Sequence, residues 1–98
     1  MKLIPDGFWQ EKVKLDEVTL NVYKGGQGEP LLLIHGYAQS ALMWSPLMNK
    51  LKDRYTIIAP DLRGAGLSDV PESGYDKITM AEDMRFSRSE AKSPWDKL

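Results

Sequence analysis

Polar and apolar residues alternate with period two from Phe8 to Lys24, through Trp9, Glu11, Val13 and Leu15 and again through Val18, Leu20 and Val22. That period belongs to strands with one wet face, and Asp16-Glu17 sits between the two runs as a tight connection, so a β-hairpin is predicted. Gly25-Gly26-Gln27-Gly28-Glu29-Pro30 reads as a turn, since glycines supply positive φ and proline lacks an N–H for a ladder. The pattern then changes. Leu31 to Ile34 and Tyr55 to Ala59 are apolar without alternation, as in strands covered on both faces of a parallel sheet. Between them Ser45 reads as an N-cap ahead of Pro46 at the first helical position. Leu47, Met48 and Leu51 line one face of that helix, and Lys50, Lys52 and Arg54 lie where cations suit its dipole. Strand, helix and strand in this order make a right-handed βαβ unit and an α/β fold class. Asp61 to Asp69 is a glycine-bearing loop. Thr79 with Glu82 forms a capping box for a second helix with a Met80, Ala81 and Met84 stripe, and the residues from Ser87 are polar up to Pro94, which stops any helix.

Composition narrows the classes of function. Of 98 residues, 42% are hydrophobic and 28% charged, the balance of one ordinary globular domain. A net charge of -1, with neither sign gathered in a block, gives no electrostatic footprint for nucleic acid or an anionic membrane. The absence of cysteine excludes disulfides and thiolate metal sites, and a single histidine cannot assemble a catalytic zinc site, so neither metal nor cofactor is expected. The first six residues are too short an apolar run for a signal peptide, and no stretch approaches the ~20 apolar residues of a membrane span, so a cytoplasmic chain is expected.

Candidate chemistry gathers where the first buried strand ends. His35-Gly36-Tyr37-Ala38 makes a sharp turn at the carboxyl end of a parallel strand, where α/β sheets bind ligands. Gly36 would let the backbone bend so that the Tyr37 amide faces a cleft, as an oxyanion-hole donor must. A plain loop glycine is the equal alternative. His35 reads as structural, because no nucleophile motif lies near it for a base to serve. Gly64-Ala65-Gly66 lacks the third glycine and the lysine of nucleotide-binding loops, so Asp61 and Arg63 are expected to shape the loop through bonds to its amides. Ser68 lacks the closing glycine of a nucleophile elbow and is not a nucleophile candidate. Trp9 and Trp95 read as a strand residue and a tail residue, and Trp44, near the turn, reads equally as helix entry or pocket wall.

Taken together, Leu31 to Ser40, Met43-Trp44 and Ile58 to Asp69 resemble the α/β-hydrolase superfamily, and within it the branch of epoxide hydrolases and of haloalkane and haloacetate dehalogenases. The resemblance runs from about Phe8 to Arg85. It implies a partial α/β-hydrolase fold over residues 1–98: the hairpin strands at one edge, then Tyr55 to Ala59, then Leu31 to Ile34, the first helix and the start of the second. In the family a further strand, a nucleophile elbow bearing Asp or Ser, a cap domain, an acid and a histidine follow, and this sequence contains none of them. By carry-over the Tyr37 amide is an oxyanion-side or halide-side donor, His35 and Gly36 shape the turn, Trp44 helps wall the pocket, and Asp61, Arg63, Gly64 and Gly66 structure the loop. The branch usually has proline where this chain has Ala38, which weakens the epoxide-hydrolase assignment against ester hydrolases of the same fold. Residues 86–98 resemble nothing in the family, as an early stop, a shifted frame or a rearranged gene end would produce.

Two functions follow. The first is a segment of a hydrolase whose complete relatives cleave a small-molecule epoxide, carbon–halogen bond or ester through a covalent intermediate, silent by itself. The second is a non-catalytic interaction module that uses an open sheet edge. The first is preferred, because the polar tail has nothing built to cover an edge. An uncovered Leu31 to Ile34 edge also predicts that the isolated chain folds poorly or self-associates.

Overall fold

The structure is a computed structural model, and it describes residues 4–36 and 39–86. The alternating segments form β1 (Phe8–Lys14) and β2 (Thr19–Gly26), paired antiparallel from Phe8 opposite Gly25 to Lys14 opposite Thr19. The Leu15 N–H donates to the Val18 carbonyl at 2.8 Å and closes the hairpin. β3 (Glu29–Leu32) and β4 (Tyr55–Pro60) pair in parallel, and β4 also pairs antiparallel with β2, giving a four-stranded mixed sheet in the order β1-β2-β4-β3. This is the order that the family resemblance implies. The chain is an α/β unit with few helices.

Three local expectations are corrected. Gly25 and Gly26 belong to β2, and Glu29 and Pro30 to β3, so the turn is reduced to Gln27-Gly28. Gly28, at φ +113°, runs so close to the Arg54 carbonyl that no Cβ would fit. Ser45 is not a cap. A 3-10 helix over Ala41–Trp44 has already turned the chain, so Ser45 is the first residue of α1 (Ser45–Leu51) and no side chain caps it. α2 (Lys77–Asp83) starts before the expected Thr79–Glu82 box: Asp76 is the N-cap, accepting from the Thr79 N–H at 2.9 Å and the Thr79 hydroxyl at 3.0 Å. Glu82 bonds Arg85 instead.

The sheet carries apolar clusters on both faces. Phe8, Tyr23, Leu33, Ala41, Met48, Ile57 and Ala59 pack on the α1 side, and Val18, Leu20, Val22, Ile58 and Met84 on the other. β4, flanked by β2 and β3, is buried from Ile57 to Pro60 as its unbroken apolar run predicts. β3 is not. Leu31 and Leu32 are half-buried and Ile34 is 47% exposed, because β3 is the last strand in the sheet. Among the described residues no helix is long and apolar enough to cross a membrane.

Candidate functional site

The chain leaves β3 through Leu33, whose N–H still reaches the Ile58 carbonyl at 2.9 Å, and turns at His35-Gly36. His35 is buried. Its Nε2 receives the Leu62 N–H at 2.9 Å, and its Nδ1 lies 2.7 Å from the Gly36 carbonyl. A backbone N–H can only donate and a carbonyl can only accept, so these partners assign the neutral imidazole with the proton on Nδ1. Both ring nitrogens are occupied, and His35 offers no base. It stitches the end of β3 to the segment after β4.

Two further bonds hold the turn. The Gln39 side-chain oxygen accepts from the Gly36 N–H at 2.9 Å, and the Asp61 carboxylate accepts from the Ala41 N–H at 2.7 Å. A side chain at position 36 would put its Cβ 2.7 Å from that Gln39 oxygen, so it would displace the end of the Gln39 side chain from this bond. Tyr37 and Ala38, which carry the expected oxyanion-side amide, lie outside the described residues.

Asp61, at 1% exposure, organises the loop after β4. Besides Ala41 it accepts from the Leu67 N–H at 3.0 Å and from the Asn21 amide at 3.1 Å. Gly66, at φ +50°, lies against this carboxylate where any Cβ would collide with it. Ser68 is buried, donates to the Asp61 carbonyl at 2.6 Å and accepts from the Asn21 N–H at 2.7 Å, so its hydroxyl is engaged in structure. Asp61 therefore accepts from the backbone N–H groups of Ala41 and Leu67.

Arg63 does not. Its Nε and Nη2 donate to both carboxylate oxygens of Asp83 on α2, at 2.7 and 2.8 Å, and Nη1 donates to the Ser73 carbonyl at 3.2 Å. A guanidinium has donors only, so it can bond backbone carbonyls, as at Ser73, but not backbone N–H groups. It fastens the loop to α2, and the hydrogen bonds to Asp83, ahead of opposing burial, raise its already high pKa. Gly64, at φ +79°, donates its N–H to the Asp69 carbonyl and abuts the Tyr75 ring.

Around these elements lies an open trough of about 880 Å³, lined by Ile34, His35, Gly36 and Gln39, by Leu62 to Gly66, and by Tyr75, Lys77, Met80, Ala81 and Met84. Trp44 is not among its lining residues. It packs with the α1-side cluster, its indole N–H buried without a partner among the described residues. Sequence reasoning missed Asn21, Gln39 and Asp83. Asn21 carried a signal, a polar residue between Leu20 and Val22, whereas Gln39, which bonds locally to Gly36, and Asp83, which meets Arg63 from 20 residues away, carried none.

A sequence model described as alpha/beta hydrolase fold matches residues 29–98. The chain is 50% identical over 60 residues to the soluble epoxide hydrolase of Corynebacterium sp. strain C12, covering 61% of this chain and 21% of that protein. It is 38% identical over 85 residues to the fluoroacetate dehalogenase of Burkholderia sp., covering 82% and 28% respectively. The crystal structure of E-2-(acetamidomethylene)succinate hydrolase superposes with a TM-score of 0.80 at 41% identity, covering 87% of this chain and 32% of that one. The chain thus spans less than a third of each of these relatives.

Proposed function

The chain belongs to the alpha/beta hydrolase fold family, and from that premise we propose that it supplies the oxyanion side of a hydrolase site for a small-molecule epoxide, carbon–halogen bond or ester, and that by itself it turns nothing over. The observation that carries this reading is the turn after β3. His35 and Gln39 hold the chain before Tyr37 and Asp61 holds it at Ala41, bonds within this unit that support a preorganised donor between them. The Gly36 N–H is consumed by Gln39, which makes the next amide, that of Tyr37, the donor the family would use.

Silence follows from the inventory of reacting groups. The only histidine has both nitrogens engaged, the Ser68 hydroxyl is buried, and the sequence holds no nucleophile elbow. The purified chain should show no hydrolysis above background of fluoroacetate, an aryl epoxide or a nitrophenyl ester. Reproducible turnover that disappears in His35→Ala would refute the assignment. Amide exchange tests the donor separately: the Tyr37 N–H should exchange freely while that of Ala41 is protected, and a protected Tyr37 N–H would remove it from the oxyanion role.

A further inference from the structure

The His35 imidazole bridges backbone groups at two strand ends. Its Nδ1–H donates to the Gly36 carbonyl at 2.7 Å, and that carbonyl also accepts from the Gln39 N–H at 3.2 Å. Its Nε2 accepts from the Leu62 N–H at 2.9 Å. The pairing of the two parallel strands ends before this point, with the bond from Leu33 to Ile58. Beyond it, among the described residues, only this ring joins residues 34–36 by hydrogen bonds to the segment after β4. The link depends on charge. A neutral imidazole has one donor and one acceptor, which matches a carbonyl on one side and an N–H on the other, whereas an imidazolium has two donors. With a second proton in place, Nε2–H would face the Leu62 N–H, donor against donor.

We propose that His35 is a proton-sensitive fastener: a second proton on Nε2 breaks the bond to Leu62 and releases the end of β3 from the segment after β4, while the sheet beneath stays paired. The step adds one proton from solvent and breaks only a hydrogen bond. His35 is 4% exposed, so bulk water does not meet the new N–H where the ring stands. Among the described residues no carboxylate bonds the ring. Asp61, beside Leu62, spends its carboxylate on Ala41, Leu67 and Asn21, and Asp83 on α2 is paired with Arg63. Of the other ionisable groups on the wall they share with His35, the Tyr75 hydroxyl donates to the Pro71 carbonyl and Lys77 is a cation. The charged ring must therefore leave its place or push Leu62 from its own. The bond is complete at neutral and higher pH and is lost as pH falls. This device stands whether or not the Tyr37 amide serves an oxyanion.

The chain has one histidine, so its imidazole nitrogen resonances need no assignment by mutation. At neutral pH they should place the proton on Nδ1. On acidification, protection of the Leu62 amide, corrected for the intrinsic pH dependence of exchange, should fall at least about tenfold in step with the imidazole titration, because a buried donor loses its acceptor. The Leu33 amide should keep its protection over the same range. His35→Gln places an acceptor that does not titrate at the end of the side chain, and should hold Leu62 protection level until carboxylates titrate, near ~4 for unperturbed groups. Should that variant not fold, the imidazole and Leu62 signals of the unaltered chain decide between them. A proton on Nε2 at neutral pH, Leu62 protection that is constant through the imidazole titration or first falls with the carboxylates, simultaneous loss at Leu33, or the same acid response in His35→Gln would each overturn the proposal.

Discussion

Replacing Asp61 by alanine should be among the most damaging single changes outside the apolar clusters. The carboxylate is 1% exposed and accepts from three donors: the Ala41 N–H, the Leu67 N–H and the Asn21 amide. A hydrogen bond to a charged group contributes roughly 1.5 to 3 kcal/mol, and a buried donor left without a partner costs about 1 to 3 kcal/mol. Three such donors would sum to ~3 to 9 kcal/mol, and water entering the space left behind pulls the result towards the low end, ~3 to 4 kcal/mol. Asp61→Asn keeps one acceptor oxygen but turns an NH2 towards donors, so it should recover only part of the loss. Asp69→Ala is the control: its exposed carboxylate accepts the Thr19 N–H at 2.9 Å, and its removal should cost under ~1 kcal/mol. Urea unfolding by tryptophan fluorescence, at one fixed protein concentration, measures all three. Amide exchange at Ala41 and Leu67 locates the effect. A loss for Asp61→Ala no larger than that for Asp69→Ala, or unchanged exchange at both amides, would refute the reasoning.

Asp83→Ala should destabilise by ~3 to 5 kcal/mol by stranding the buried Arg63 guanidinium, and Arg63→Met combined with Asp83→Leu should recover most of that; a double variant no better than the single one would count against the pair. Gly66→Ala should lower the unfolding midpoint markedly, since its Cβ meets the Asp61 carboxylate, whereas Gly7→Ala, with open space around it, should cost only the φ strain; equal shifts would contradict the packing argument. The Asp76 cap is held below the ordinary carboxylate pKa by the Thr79 N–H and then the Thr79 hydroxyl. Its contribution is therefore complete above the unfolded-state pKa and is lost as pH falls through the lower folded value. Protection of the Met80 amide should decline in that acidic window, and Asp76→Asn should abolish this pH dependence; an identical acid response in the variant would exclude Asp76 as its source.

What the sequence showed best was what periodicity encodes. The hairpin and the helix came from residues whose spacing matches an element's own period, and the two parallel strands came from unbroken apolar runs. The 3-10 turn at Ala41–Trp44 was hidden because Ser45-Pro46 is a good helix start wherever it occurs, and only the preceding chain path shows that the start had already been made. Asp76 was passed over for Thr79 in the same way, since both have capping side chains and the choice rests on where the backbone turns. The uncovered β3 shows the limit of reading burial from composition. Leu31 to Ile34 are as apolar as Ile57 to Ala59, and their exposure depends on which neighbour is present.

The bonds that shape the turn and loop follow one rule, in that donors and acceptors far apart in sequence meet where strands end. His35 after β3 binds Leu62 after β4, Asp61 reaches back to Ala41 and across to Asn21 on β2, and Arg63 reaches forward to Asp83 on α2. Each of these bonds ties a loop to a segment distant in sequence rather than to the adjacent residue. The residues on either side of Tyr37-Ala38 are thereby tied to the sheet and its loops. Preorganisation of this kind is set by folding and needs no substrate, which is what a donor must have if it is to stabilise developing charge without reorganising. The α/β-hydrolase plan thus separates two tasks along the chain. Among the described residues of this segment, His35, Asp61, Arg63 and Ser68 are buried and each spends its polar atoms on bonds that tie the turn and the loop together.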